Sequence, residues 1–248
     1  MLTGHGGTSR WWSAAVLTLL FGCVPLVFGQ RAETGAAIDE QPTEEKSYAA
    51  GDLYLDGSRV YARVGKVGLG HEHAVVGRLK QGHLTLGATQ DGGELTFDMT
   101  SFVADTDAAR KYLGLEGATD ASTQQQVTAN MLGTAVLDAE HFPTAKLRVK
   151  SARLTEEKSK SGRPVYQIEG DFTLHGKTKP IRIMAEAEDE RGWVHLRGGF
   201  SVLQSEYGIK PFTKAFGAIG VADRVDIWGD LWVAQAAKVS QQSDGAQR

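Results

Sequence analysis

Apolar and polar residues alternate along most of the chain between residues 51 and 236, which is typical of strands with one buried face. In residues 93–105, for example, Leu95, Phe97 and Met99 share one parity. Further alternating segments follow at 144–154, 165–174, 181–188, 193–203 and 224–234. Turn residues separate them at hairpin spacing, and a count of about eight strands predicts an all-β fold, an antiparallel barrel or sandwich.

The alternation stops between Asp105 and Gly133, where the pattern predicts two short helices. Asp120 or Ser122 is suited to cap the second helix, and Gly133 is suited to end it. We expect this helical insert to cover one end of the sheet.

Two histidines stand out in residues 63–86, a segment whose alternation predicts strand. Its apolar positions and both imidazoles share one parity: Val67, Leu69, His71, His73 and Val75. On a strand, residues of one parity lie on one face of the sheet. We therefore expect His71 and His73 side by side on an otherwise apolar face. Three roles are open for the pair: a structural or ligand-contacting polar group, a metal site, or a catalytic base.

A metal site would need a third ligand besides the histidine pair. His141, His175 and Glu72 are candidates, although Glu72 has the opposite parity. His175 is better suited to a tight turn before Pro180, since it precedes a glycine at the end of a strand.

The two ends of the chain differ from the middle. Residues 1–29 combine Arg10, an apolar run and a small-residue stretch before Gln30, the three-part plan of a signal peptide. A single membrane anchor is the alternative, as is lipid attachment at Cys23. Residues 30–50 are predicted to be a solvated linker, residues 51–236 the folded domain, and residues 237–248 a polar tail.

Composition excludes several classes of function. With 30 acidic and 27 basic residues, a formal net charge of -3, the chain lacks the basic excess of nucleic-acid-binding proteins. Its single cysteine, Cys23, leaves the predicted domain without disulfides or cysteine metal ligands. No nucleophile elbow, phosphate loop or zinc-protease motif is present, so we expect a binding protein and not an enzyme.

Six segments together resemble the YceI-like family, the polyisoprenoid-binding proteins with a lipocalin-like barrel. They are V-G-K-V-G-L-G-H-E-H (64–73), L-T-F-D-M-T-S-F (95–102), M-L-G-T-A-V-L-D-A-E-H-F-P (131–143), G-D-F-T-L-H-G-K-T-K-P-I (170–181), F-S-V-L-Q-S-E-Y-G-I-K-P-F (200–212) and V-A-D-R-V-D-I-W-G-D-L (221–231). The resemblance covers residues 51–235, nearly the whole predicted domain. It implies an antiparallel lipocalin-like β-barrel of about eight strands with a short helical insert.

The resemblance also implies a ligand, an isoprenoid or quinone-type lipid inside the barrel of a periplasmic or secreted protein, with no other cofactor. The residues we expect to contact it are Val67, Leu69, His71, His73, Val75, Phe97, Met99, Phe172, Leu174, Tyr207 and Phe212. Within this set we expect apolar side chains to line the cavity and the histidines to form its polar spot. An aromatic loop containing Tyr207, Phe212 and Phe216 would suit the mouth.

Two alternatives to lipid binding follow from the same residues. One is a metal-binding or metal-dependent protein that uses His71 and His73. The other is a barrel filled by its own side chains that binds a partner protein through the aromatic loop. A dimer and a peripheral contact with a membrane both remain open.

Overall fold

The computed structural model of the chain describes residues 47–235. The predicted signal peptide, Cys23, most of the predicted linker and the polar tail lie outside the described residues. Among the described residues, no helix has both the length and the apolar character needed to cross a membrane.

Nine strands and two α-helices make up the described domain. The strands are β1 (Arg59–Gly68), β2 (His73–Leu84), β3 (Gly93–Ala104), β4 (Thr144–Lys158), β5 (Pro164–Leu174), β6 (Lys177–Glu190), β7 (Trp193–Leu203), β8 (Thr213–Lys214) and β9 (Ile219–Ala234). The helices are α1 (Asp107–Tyr112) and α2 (Ala121–Leu132), and short 3₁₀ turns occur at Gln204–Tyr207 and Ala215–Gly217.

The strands form one antiparallel sheet that closes on itself. Strands β1 to β7 pair in chain order, β7 pairs with β9, and β9 pairs with β1 to complete the ring. The short β8 pairs only with the start of β9. This confirms the predicted all-β antiparallel fold with a helical insert, and closure removes the free edges that an open sheet would expose.

Closure of the sheet places one parity of each strand inside. On β4, Ala145, Leu147 and Val149 are buried while the basic residues between them are exposed. Phe172 on β5 lies at the centre of the aromatic core, with ring centroids 6.1 Å from Phe97 and 5.9 Å from Tyr207. The period-two pattern in the sequence therefore determines which side chains face the interior.

The helical insert lies between β3 and β4, at the end of the sheet where β1 ends and β2 begins. Asp120 caps α2, since its Oδ1 accepts from the backbone N–H of Thr123 at 3.0 Å. The hydroxyl of Thr128 accepts from the backbone N–H of Ala104 at 3.0 Å and ties α2 to β3. Gly133 ends the helix with a φ of -67°, so its backbone is not the left-handed form that favours glycine.

The prediction of a continuous strand through residues 63–76 is wrong, because β1 ends at Gly68 and β2 begins at His73. Gly68 has a φ of +64°, and a Cβ there would lie 2.2 Å from the carbonyl oxygen of Ala218. Only glycine fits this turn without strain. The turn removes Val67 and Leu69 from the face that carries Val75, and they are 46% and 86% exposed.

Candidate ligand-binding site

The closed sheet surrounds an apolar cavity. The cavity has a volume of about 150 Å³. Its walls come from all the long strands and from α2. Of the residues predicted to contact a ligand, five lie in its wall: Val75, Phe97, Met99, Phe172 and Leu174.

Small residues keep the interior from being filled by the protein's own side chains. Ala145, Ala185 and Gly229 line the cavity on three different strands. Gly229 shares the inward parity of Ile227 and Leu231 on β9, and a Cβ added there would meet its nearest neighbour, in Leu231, at 3.4 Å. That distance is ordinary van der Waals contact, so a longer side chain at this position would extend into the cavity.

A second, smaller cavity lies at the helical end of the sheet and has a volume of about 100 Å³. It shares Val75 and Met131 with the main cavity, so the two are neighbours. Three polar side chains are in its wall: His73 from β2, Asn130 from α2 and Gln204 from the turn after β7. The interior of the sheet is therefore apolar along its length and polar at this end.

His73 is held in place by a buried carboxylate. Its Nδ1 lies 2.6 Å from Oδ2 of Asp105, whose side chain is fully buried. The other oxygen of Asp105 accepts from the backbone N–H of Ala74 and from the guanidinium of Arg110, both at 3.0 Å. Arg110 also donates to the carbonyl oxygens of Glu116 and Gly117. Every oxygen of Asp105 is thus satisfied, which a buried carboxylate requires.

These contacts determine which atom of His73 can meet a ligand. Burial opposes ionisation of Asp105, but the hydrogen bonds from His73, Ala74 and Arg110 outweigh it and hold the pKa of Asp105 below its usual value. An ionised carboxylate only accepts, so Nδ1 of His73 carries the proton. Nε2 is then the ring atom free to contact a ligand in the second cavity.

A family model for the YceI-like domain matches residues 53–231. The chain belongs to the YceI-like family. Among curated proteins no sequence matches it.

Solved structures resemble this YceI-like chain in fold at low sequence identity. A polyisoprenoid binding domain from Saccharophagus degradans is 10% identical, with a TM-score of 0.51, and the match spans 76% of this chain and 100% of that one. BcnA from Burkholderia cenocepacia is 18% identical with a TM-score of 0.49, and the match spans 74% of this chain and 100% of that one. The YCEI protein of Campylobacter jejuni is 10% identical with a TM-score of 0.41, at coverages of 62% and 80%.

The YceI-like domain brings His71 and His73 close together, although not on one strand face. His71 lies in the turn before β2 and is exposed, and the two ring centroids are 4.4 Å apart. Partial burial, and after it the neighbouring His73, lowers the pKa of His71 and favours its neutral form. His73 lines the second cavity, whereas His71 lines neither cavity.

Asp105 is the residue that the sequence-based reasoning missed. One ligand atom each from His71, His73 and Asp105 lie within 4.8 Å of one another, which is a geometry that could hold a metal ion. Of the predicted third ligands, His141 instead pairs with Asp138, and Glu72 pairs with Arg63. Asp105 directly follows a strand, but nothing in the local sequence connects it with a histidine 32 residues earlier.

The aromatic loop is divided among three environments. Tyr207 is buried behind Phe172 and does not line the main cavity, and burial raises its pKa to about 12. Phe212 lines the second cavity. Phe216 is fully exposed. His175 occupies the β5–β6 turn with a φ of +49°, as the turn interpretation predicted. The centroid of its ring lies 4.3 Å from that of Phe142.

Proposed function

We propose that this YceI-like protein is an exported binding protein that carries or stores an isoprenoid-type lipid, with the apolar chain of the lipid inside the sheet. The observation that carries the proposal is the apolar cavity that continues into a polar-ended space beside His73. Burial of an apolar chain contributes about 25 cal/mol for each Å² removed from water. Membership of the YceI-like family, and the polyisoprenoid binding of the Saccharophagus domain, support the same ligand class.

The polar head of the ligand belongs at the helical end in this proposal. Nε2 of His73 accepts from a hydroxyl when the ring is neutral, and donates to a carbonyl or phosphate oxygen when the ring is protonated. Asn130 and Gln204 supply amide groups to the same space. We propose binding and not catalysis, because within residues 47–235 no hydroxyl, thiol or carboxylate lines either cavity. The predicted signal peptide supports a periplasmic or secreted location.

Substitution of Gly229 tests the cavity directly. Gly229→Phe would fill the interior from β9, whereas Gly229→Ala adds only a methyl group at an ordinary contact distance. The full chain and both variants are purified from the native host, and bound lipid is measured by native mass spectrometry and by solvent extraction. We expect lipid in the wild type and in Gly229→Ala, and at least a tenfold loss in Gly229→Phe.

Two results would contradict the proposal. One is a folded wild type that carries no apolar ligand and takes up none when isoprenoid lipids are added. The other is full lipid content in Gly229→Phe with unchanged circular dichroism. Either result would favour a domain that acts through its surface.

A metal ion at His71 and His73 is the second candidate function. The observation in its favour is the clustering of donor atoms from His71, His73 and Asp105 within 4.8 Å. Because both oxygens of Asp105 already accept hydrogen bonds, this carboxylate would orient His73, and the metal would bind Nε2 of His73 and a ring nitrogen of His71. Water or an oxygen of the lipid head would supply further ligands.

Metal analysis separates this candidate from the first. Zinc and copper bound to the wild type, His71→Ala and His73→Ala are measured by mass spectrometry after dialysis against a weak chelator. Stoichiometric metal in the wild type that is lost in both variants would support the metal site. Equal and negligible metal in all three proteins would remove it and leave lipid binding untouched.

A further inference from the structure

Exposed apolar residues lie in two neighbouring segments at one tip of the domain, where the turn between β1 and β2 lies beside the start of β9. Leu69 is 86% exposed, and Phe216 is fully exposed. Val67 and Ile219 are also exposed. The backbone N–H of Leu69 donates to the carbonyl of Ala218 at 3.1 Å, so the two segments are joined at this point. The structure therefore places these apolar residues in adjacent segments outside the core.

The backbone holds Phe216 away from the domain. Ala215 and Phe216 have φ angles of +50° and +55°, a left-handed conformation that non-glycine residues seldom adopt. Such strain in consecutive residues is typical of functional segments. Leu69 follows Gly68, whose turn leaves the leucine without a place in the core. The same sheet contains an apolar core, yet neither Leu69 nor Phe216 is packed into it.

Two exposed lysines lie in the tip segments. They are Lys66 and Lys214, and within residues 47–235 neither forms an ion pair. The acidic residue in the β1–β2 turn, Glu72, is paired with Arg63 at 2.8 Å. Exposed apolar anchors with unpaired lysines around them match an anionic lipid bilayer, whose surface attracts lysine and whose interior accepts leucine and phenylalanine.

The tip is also next to the second cavity. Phe212 and Val221 line the second cavity, and they lie in the same two segments as Lys214 and Ile219. Phe212 is close to Lys214, whose Nζ lies 5.5 Å from the ring centroid. A bilayer that received Leu69 and Phe216 would therefore lie close to the second cavity.

We propose that this tip, formed by residues 66–70 and 214–219, docks the domain onto anionic membranes, with Leu69 and Phe216 inserted below the head groups. The proposal rests on the lipid-binding function above, because docking here would let a lipid pass between bilayer and cavity without crossing water. It commits to a bilayer and not to a protein partner, since both the lysines and the fully exposed anchors suit a fluid, anionic surface.

A fluorescent label beside the anchors tests the docking. Cys23 is the sole cysteine of the chain, so Cys23→Ser with Ala218→Cys gives one labelling site between Leu69 and Phe216. The full chain is labelled with an environment-sensitive dye and mixed with phosphatidylglycerol–phosphatidylcholine vesicles. A matched protein carries the dye at Lys160→Cys, an exposed position in the β4–β5 turn at the opposite end of the sheet. Local labels are needed because the apolar N-terminal run could itself attach the chain to vesicles.

We expect a blue shift and a several-fold gain in emission at position 218, and no change at position 160. Leu69→Ser and Phe216→Ser should each raise the lipid concentration at half-response about tenfold. Lys66→Ala and Lys214→Ala should each raise it roughly fivefold, and the distant Lys160→Ala should leave it unchanged.

An unchanged spectrum at position 218 would overturn the proposal, as would an equal response to vesicles of pure phosphatidylcholine. Bound lipid is measured in the same samples by native mass spectrometry. A protein that holds lipid while its tip label stays silent would refute docking and retain the proposed function. A responding tip on a protein that never holds lipid would refute the proposed function and retain docking.

Discussion

Removal of the Asp105 carboxylate is expected to destabilise the fold more than removal of any surface acid. The side chain is fully buried and contacts two elements of the domain: His73 and Ala74 on β2, and Arg110 on α1. Asp105→Ala would leave the N–H of Ala74 without an acceptor and a largely buried guanidinium without its counter-charge. Breaking a buried ion pair from one side costs about 3–5 kcal/mol.

Asp105→Asn is the more informative substitution, because asparagine tolerates the left-handed backbone of this position, where φ is +56°. Its carbonyl oxygen can still accept from Ala74 and Arg110. Its amide must donate to Nδ1 of His73, which moves the ring proton to Nε2. Neutral hydrogen bonds are about half as strong as charge-assisted ones, so we expect a loss of about 1–3 kcal/mol in the free energy of unfolding.

The stability difference between wild type and Asp105→Asn should depend on pH. The folded pKa of Asp105 lies below its usual value of 3.8, so its contribution is complete above that value and is lost as pH falls through the folded pKa. Asparagine does not titrate in this range. The difference should therefore be constant near neutral pH and shrink in acid.

Urea denaturation followed by circular dichroism at several pH values measures these differences. Asp56→Asn is the control, since Asp56 is exposed in a turn and should change stability by less than about 0.5 kcal/mol. The reasoning fails if Asp105→Ala costs less than about 1 kcal/mol at neutral pH. It also fails if the gap between wild type and Asp105→Asn stays the same in acid.

Three further substitutions test the packing by urea denaturation. Gly68→Ala should lower the free energy of unfolding by at least about 1 kcal/mol more than Gly87→Ala does. Both glycines have positive φ, but only at Gly68 would an added Cβ lie 2.2 Å from a carbonyl oxygen. Equal losses in the two variants would contradict the steric account. Phe172→Ala should lower the free energy of unfolding by about 3–5 kcal/mol, because Phe172 is the centre of the aromatic core. A loss below about 1 kcal/mol would contradict that role. Lys150→Ala should change stability by at most about 1 kcal/mol, since its pair with Asp171 is exposed; a larger loss would show a role beyond this pair.

The period of two in the sequence determined most of the fold. Residues such as Leu147 and Phe172 alternate with polar neighbours, and in an antiparallel sheet that parity alone decides which side chains lie inside. The capping residue Asp120 marked the start of α2 for a similar reason, because an N-cap depends on residues within one turn. Five of the predicted ligand contacts are in the cavity wall because they follow this local rule.

Tertiary structure decided the rest. The turn at Gly68 separates Leu69 from Val75, and the cause is the carbonyl of Ala218, about 150 residues further along the chain. Asp105 orients His73 only because β2 and β3 pair, so a sequence pattern could not connect them. The sequence by itself determined strand parity, helix ends and the family, which are local or cumulative signals. The position of the polar group in the cavity and the exposed apolar tip depend on contacts between distant segments, which only the closed sheet brings together.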